Sequence, residues 1–265
     1  MRKNKFLTFA VLFALLVTVF FCVNEEFYYK ILNRSGESYR LNSKGNFEGR
    51  SRVYRKGIKI FDGYFKDGKL EGWSFEYYDN GELKLKSFYK NDFIHGYEYE
   101  YYSDGKLKSK KYMIKGKWYA DQLYYSEKGE LTVYSVSDYR NMPNDFFYII
   151  YSSSGSIKQV LGTLLSENIA ICRNNSFKIL EQGNSYKNID DLYITVANPP
   201  KLKSTFKILV NKKEYSFTDI KTNTLKLKGA FKKVGKYTVI GMGTLKDNDK
   251  LIKRDTISVT FIKGT

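Results

Sequence analysis

The sequence predicts an all-β protein: an open sheet of stacked β-hairpin repeats, then a β-sandwich, with an apolar anchor helix at the N-terminus. Three observations predict it. Gly57, Gly81, Gly105 and Gly129 recur every 24 residues, and Tyr54, Tyr78 and Tyr102 keep the same step. A fixed internal period of this length decides the architecture before anything else is read. Beyond about residue 160 that phase is lost and short strand-like runs alternate with polar turns. Ahead of both, Phe6 to Val23 is an 18-residue stretch without a formal charge.

The N-terminal element comes first. Arg2, Lys3 and Lys5 precede the apolar stretch. A signal-peptide core runs about 7–15 residues and ends in small residues. Here the stretch is longer, and Val19-Phe20-Phe21-Cys22-Val23 offers no Ala-x-Ala pattern. About 17–25 apolar residues cross a bilayer, and basic residues ahead of such a segment favour a cytoplasmic N-terminus. The expectation is a single-pass signal-anchor over residues 1–23, inserted through residues 6–23. The bulk of the chain is then extracytoplasmic, either periplasmic or extracellular. The alternatives are a cleaved signal peptide and a secreted product, or a lipoprotein modified at Cys22. Phe21, bulky where lipoproteins carry a small residue, counts against the last. Residues 24–46 read as a linker or a degenerate start.

The repeats occupy residues 47–157. One unit runs from Gly72-Trp73-Ser74-Phe75-Glu76-Tyr77-Tyr78 through Asp79-Asn80-Gly81 to Glu82-Leu83-Lys84. The next runs from Gly96-Tyr97-Glu98-Tyr99-Glu100-Tyr101-Tyr102 through Ser103-Asp104-Gly105 to Lys106-Leu107-Lys108. Asn-Gly and Asp-Gly pairs between aromatic runs signal hairpins with tight primed turns, and aromatic residues favour strands. A second polar turn per unit, such as Lys90-Asn91-Asp92, makes two strands per 24 residues. A lone hairpin cannot bury its own face, so neighbours must stack. Alternation sends Tyr97, Tyr99 and Tyr101 to one face and Glu98 and Glu100 to the other. The candidate binding face is Trp73, Phe75, Tyr77, Tyr97, Tyr99 and Tyr101 with Lys84, Lys86, Lys108 and Lys110. Glu76, Glu98 and Glu100 read as salt partners of lysines on a solvent face.

With its Tyr-Tyr-x-x-Gly-x-Leu-Lys core and a Gly-x-x-x-Gly turn at Gly68 to Gly72, this region resembles bacterial MORN-type repeats of a variant form. In the unit at Asp92 to Gly96, Asp92 replaces the first glycine of that turn. The resemblance implies a single-layer run of hairpins used for binding or scaffolding, and it brings no catalytic residues. Relatives of this form are sometimes labelled antitoxin-like.

Residues 158–265 read as a β-sandwich. Candidate strands are Ile169–Cys172, Phe177–Leu180, Leu192–Ala197, Phe206–Val210, Glu214–Phe217, Thr224–Leu227, Lys236–Met242 and Thr256–Ile262. Seven or more short strands in about 100 residues argue for a sandwich. Gly235-Lys236-Tyr237-Thr238-Val239 resembles the entry to a late strand of immunoglobulin-like domains. That resemblance implies a corner hydrogen bond from Tyr237.

Motifs that carry chemistry are sparse. His95 is the one histidine, at a position where neighbouring units have Glu71 and Ala120, so it reads as a loop residue. One His and the separated Cys22 and Cys172 form neither a zinc set nor a nucleophilic triad. Gly241-Met242-Gly243 is too short for a dinucleotide fingerprint. Asp190-Asp191 and Asp247-Asn248-Asp249 read as solvated acidic turns without the spacing of a Ca²⁺ loop. The expectation is a protein with no enzymatic activity, cofactor or metal. Net charge is +17, and +14 without Arg2, Lys3 and Lys5. Such a surplus attracts anionic partners, and lysines interleaved with aromatics can hold nucleic acid, but export argues against the latter. The reading is an exported, anchored interaction or scaffold protein of the bacterial cell envelope that binds a protein or an anionic lipid or glycan surface. The alternative is an antitoxin or immunity-type inhibitor of a partner toxin.

Overall fold

A computed structural model describes residues 13, 29–30, 32–115, 117–138, 145–173, 176–187, 189, 191–218 and 220–264. Among these no helix is long and apolar enough to cross a membrane. Cys22 and, apart from Phe13, the expected anchor at residues 6–23 lie outside the described residues.

The described chain is all-β. Its first twelve strands are β1 (Gly36–Ser38), β2 (Gly49–Arg55), β3 (Ile58–Lys66), β4 (Lys69–Leu70), β5 (Gly72–Tyr77) and β6 (Leu83–Lys90), then β7 (Phe93–Tyr101), β8 (Leu107–Ile114), β9 (Lys117–Tyr125), β10 (Leu131–Ser137), β11 (Asp145–Tyr151) and β12 (Ile157–Gly162). They hydrogen-bond in chain order, with β4 set aside on β3. The pairs β2–β3, β5–β6, β6–β7, β8–β9 and β9–β10 are antiparallel, as consecutive hairpins require. The chain divides into two compact units, Met1–Leu107 and Lys108–Thr265.

The turns differ from expectation. Gly81 accepts a type I turn: its N–H donates to the Tyr78 carbonyl at 2.9 Å, and the Tyr78 N–H donates to the Glu82 carbonyl at 2.8 Å. Gly81 has φ 88°, whereas Asn80 is not among the positive-φ residues. This is a three-residue turn closed by a left-handed glycine, not a primed pair. The Asn80 side chain instead accepts the Glu82 N–H at 3.0 Å, and Asp104 does the same for Lys106. Both residues with positive φ, the mark of the primed turn, occur at Lys56-Gly57, Asp67-Gly68 and Asn91-Asp92. Asn91 and Asp92 adopt it without glycine because hydrogen bonds to the neighbouring turn hold them. Asp92 accepts the Leu70 N–H at 2.7 Å, and Glu71 accepts the Asn91 N–H at 2.9 Å. Glu48 caps the Asp67 N–H in the same way at 2.9 Å.

Within the first unit, Tyr54 is the one fully buried aromatic or aliphatic residue among those described; the buried polar side chains are Ser51, Asp62, Ser74 and Ser87. The sheet there is held by cross-strand pairs and backbone ladders, at about 0.2–1 kcal/mol per pair. The 24-residue tyrosine contributes directly: the Tyr78 hydroxyl donates to the Tyr101 carbonyl at 2.7 Å, and the Asn80 amide donates to the Ser103 carbonyl at 2.9 Å. Each tie joins one repeat to the next.

The second unit has an apolar core. Its remaining strands are β13 (Ala170–Arg173), β14 (Ser176–Ile179), β15 (Ser185–Lys187), β16 (Asp191–Thr195), β17 (Lys203–Val210), β18 (Lys213–Phe217), β19 (Thr224–Lys228), β20 (Gly235–Asp247) and β21 (Lys250–Gly264). Strands occupy all eight stretches read from the sequence, and β15 is additional. They form a four-stranded sheet, β14-β13-β16-β19, and a five-stranded sheet, β15-β21-β20-β17-β18. The β15–β21 pair is parallel. Alternate residues of both sheets, among them Leu192, Ile194, Phe206, Ile208, Val239 and Phe261, join one buried cluster. Leu123, Tyr134, Val136, Phe147 and Ile149 of β9–β11 belong to it as well. Each such side chain contributes about 1.5–3 kcal/mol. The buried Tyr134 hydroxyl accepts the Asn198 N–H at 2.9 Å and the Asn223 amide at 2.8 Å, fastening β10 to this core.

Two sequence motifs find their roles here. A Cβ on Gly241 would come within 2.9 Å of Leu165, and one on Gly243 within 2.8 Å of Leu165 and 3.0 Å of Phe206. The Gly-x-Gly pair thus lets Leu164 and Leu165 seat against β20. The Tyr237 hydroxyl donates to the Lys233 carbonyl at 2.9 Å and accepts the Lys233 N–H at 3.2 Å. That is the corner bond expected of it.

Candidate binding face

The register decides which side chains meet. Arg52 faces Asp62, Asp62 faces Phe75, Phe75 faces Lys86 and Lys86 faces Tyr99. Directly opposed residues project to the same side of a sheet. One row therefore crosses β2, β3, β5, β6 and β7 on one face. Trp73, opposite Phe88, flanks the row. Strand alternation adds Tyr97 and Tyr101 to this face, whereas Lys84 falls at a register shift, between the Glu76–Leu85 and Tyr77–Leu83 pairs.

The contacts follow from that placement. The Lys86 Nζ lies 4.5 Å from the Trp73 ring centroid and 5.8 Å from that of Tyr99. A lysine between two aromatic rings gains roughly 0.5–1 kcal/mol per contact at an exposed site. Trp73 and Phe88 meet edge to face at 5.4 Å, and the Tyr97 and Tyr99 rings lie tilted by 41° with centroids 5.9 Å apart. Trp73 keeps 40 % of its surface exposed, so the patch remains open to a partner. Burial and the neighbouring Tyr99 push the Tyr101 phenol up from its ordinary value.

At the other end of the row sits a charge cluster that sequence reading missed. Asp62 is 4 % exposed. Arg50 donates to both of its oxygens, at 2.8 and 2.6 Å. Lys59 Nζ lies 3.5 Å and Arg52 Nε 4.0 Å from Oδ2. Lys59 also stands 5.1 Å over the Tyr77 ring, tying Tyr77 to this cluster. Burial raises the Asp62 carboxyl's pKa, but the Arg50 hydrogen bonds and the three cations overcome it and hold it below the ordinary value. Phe88 was missed too. Both omissions concern partners brought in from adjacent strands, and register is the only signal that would have revealed them.

The opposite face carries Ser74, Ser87 and Glu98 in one row and Glu76, Leu85 and Glu100 in the next. Ser87 donates to Glu98 at 3.3 Å. Burial, then Glu76 and Glu98, raise the Tyr89 phenol there. Lys86 lies on the face opposite these carboxylates. Lys108 and Lys110 belong to the second unit, on β8, where Lys110 faces Leu123.

His95 lies within β7 and not in a loop. The Asp191 carboxylate sits in β16 and pairs with Lys226 at 2.8 Å, which raises the lysine's pKa. The side chain of Cys172 lies outside the described residues, although its backbone is in β13. Among the described residues no group of His, Cys, Asp and Glu is placed to hold a metal.

No family model matches the chain, and no curated protein matches it. Solved structures that resemble it include the extracellular domain of a hybrid two-component system from B. thetaiotaomicron, at 11 % identity and a TM-score of 0.29 over 86 % of this chain. The extracellular domain of a one-component system from the same organism follows at 9 %, with a TM-score of 0.25 over 86 %. The chain spans 38 % and 36 % of the lengths of those two structures. A Ca²⁺-stabilised adhesin with which an Antarctic bacterium binds ice is 10 % identical, with a TM-score of 0.24, over 88 % of this chain and 66 % of its own. At TM-scores this low the likeness carries neither a fold nor a function across.

Proposed function

We propose that this chain is a non-enzymatic interaction protein of the bacterial envelope, anchored through residues 6–23 and presenting its repeat sheet outside the cytoplasmic membrane. Its repeats are of MORN type and its C-terminal region is an immunoglobulin-like sandwich. The carrying observation is the row from Arg52 to Tyr99, in which cations and aromatic rings share one face while Glu76, Glu98 and Glu100 take the other. A face with open aromatic surface and an excess of positive charge suits an anionic protein or glycan partner, by ring contact at the centre and charge attraction at longer range. The tyrosine ties between successive repeats and the Tyr237 corner support the two resemblances.

The test is fractionation of cells that carry a C-terminal tag on the chain. The intact protein is expected to resist carbonate extraction, and external protease is expected to remove the tag. A soluble cytoplasmic product would overturn the proposal. In parallel, Trp73→Ala with Lys86→Gln is expected to abolish retention on an isolated envelope fraction while the far-UV spectrum is kept. Unchanged retention would remove the face from the reading.

A further inference from the structure

A cleft opens at one end of the repeat sheet in the first unit, enclosing about 340 Å³. It is lined by Lys30, Lys56, Lys59, Tyr77, Asn80 and the glycines of two turns, with no acidic residue among its lining. We infer that this cleft binds a phosphate or sulfate ester group.

The construction of the site comes from the turns. The Lys56-Gly57 turn and the Asp79 to Gly81 turn lie at the same end of β2, β3, β5 and β6. Tyr29, Lys30 and residues 32–35 fold back over the first of them. The Gly57 N–H donates to the Arg34 carbonyl at 2.8 Å, and the Lys56 N–H donates to the Ser35 hydroxyl at 3.0 Å. Tyr29 stacks on Tyr54 with ring centroids 4.3 Å apart. The fold-back brings Lys30 to the two lysines of the hairpin. A Cβ on Gly57 would meet the Tyr29 carbonyl at 2.9 Å, so the close approach depends on glycine.

The donor set selects the ligand. Three ammonium groups are compact point charges that suit a tetrahedral, multiply charged oxyanion, whereas a planar carboxylate is matched by the fork of arginine. The lining contains lysines and no arginine. Lys59 is partly engaged by Asp62 at 3.5 Å, and Asp79 stands beside the cleft, 3.8 Å from Arg55. Lys30 and Lys56 therefore supply most of the charge open to a ligand. The volume lies at the lower end of ligand sites, about 300–1,000 Å³. It admits the ester group and one attached sugar- or glycerol-sized moiety.

The site is separable from the proposed sheet-face function. Trp73 and Lys86 do not line it, and Lys59 and Tyr77 are common to both. The test uses the full chain in neutral detergent, with inorganic phosphate and glycerol phosphate as probes in calorimetry, acetate at equal ionic strength as control, and phosphatidylglycerol vesicles as a second arm. Saturable binding of glycerol phosphate is expected, weakened about fivefold by Lys30→Gln, about fivefold by Lys56→Gln, and by roughly the product in the double variant. The Trp73→Ala, Lys86→Gln protein is expected to bind the probes as the parent does. Vesicle binding that free glycerol phosphate displaces assigns the ester to a lipid headgroup. Probe binding without vesicle binding assigns it to a soluble or polymeric ester. Binding unchanged in the double variant, equalled by acetate, or present on vesicles without displacement by the free ester would overturn the inference. An unchanged urea midpoint in both lysine variants, which alter exposed side chains, separates loss of the site from loss of the fold.

Discussion

Replacing Asp62 by Asn removes one negative charge from the centre of three cations and keeps the shape. The cost can be built from the contacts. Arg50 loses an ionic hydrogen-bond pair at 2.8 and 2.6 Å, but its side chain is 57 % exposed and returns to water. Its share is that of a surface pair, about 0.2–1 kcal/mol. Arg52 and Lys59 are 24 % and 17 % exposed, so their mutual repulsion is poorly screened once the carboxylate is gone. With the repulsion between those two largely buried cations added, the total comes to about 2 kcal/mol. That is below the roughly 3–5 kcal/mol of a fully buried broken pair. The pH dependence has a definite sign. The folded carboxyl sits below its ordinary value, so its stabilisation is complete above the ordinary value of 3.8 and is lost as pH falls through the lower folded one. Hydrogen exchange over β2, β3 and β5 is the assay. At about pH 7, Asp62→Asn should speed exchange by about thirtyfold, and near pH 2 the two proteins should converge. Equal exchange at neutral pH, or a gap that persists in acid, would refute the electrostatic account of the cluster.

The other predictions test single contacts. Tyr78→Phe removes the hydroxyl that donates to the Tyr101 carbonyl and should cost about 1 kcal/mol, seen as faster exchange confined to β5–β7. Gly243→Ala puts a methyl 2.8 Å from Leu165 and 3.1 Å from Leu164. It should lower the urea midpoint by an amount equal to about 1–3 kcal/mol; no change would mean that the Leu164–Leu165 seat is loose. Tyr237→Phe should cost about 1 kcal/mol through the lost corner bond while leaving the Phe231 and Phe261 ring contacts in place, which near-ultraviolet dichroism would report.

Much of the strand plan was legible because its signals are local. Glycines at a 24-residue step mark turns wherever the strands pair, and β17 to β21 announce themselves by alternating apolar residues such as Phe206, Ile208 and Val210. The turn type was not legible at Asn80-Gly81. A residue pair does not say whether both members or only the glycine take positive φ, and the outcome rests on the Asn80 side chain capping Glu82. Asn91-Asp92 carried no glycine and still became a primed turn, because Glu71 and Leu70 of the preceding turn bind it. Such help comes from about 20 residues away and has no local mark.

The same distinction explains what the face is. Alternation alone predicted that tyrosines and glutamates of β7 would part, and it predicted the lysines of β6 equally well. Only the pairing of Lys86 with Tyr99 decides that this lysine sides with the aromatic rings and against the glutamates. A slip of one residue in the β6–β7 register would pair Lys86 with Glu98 or Glu100 and neutralise both faces. The bulge between Ser87 and Tyr89, opposite Gly96 at φ 131°, lies beside that pair and sets the register on its far side. The polarity of the sheet is therefore a property of strand registration as much as of composition. A partner that reads charge on this sheet reads the fold of the repeats through it, so a one-residue slip of β6 against β7 should lose anion attraction without losing a single lysine.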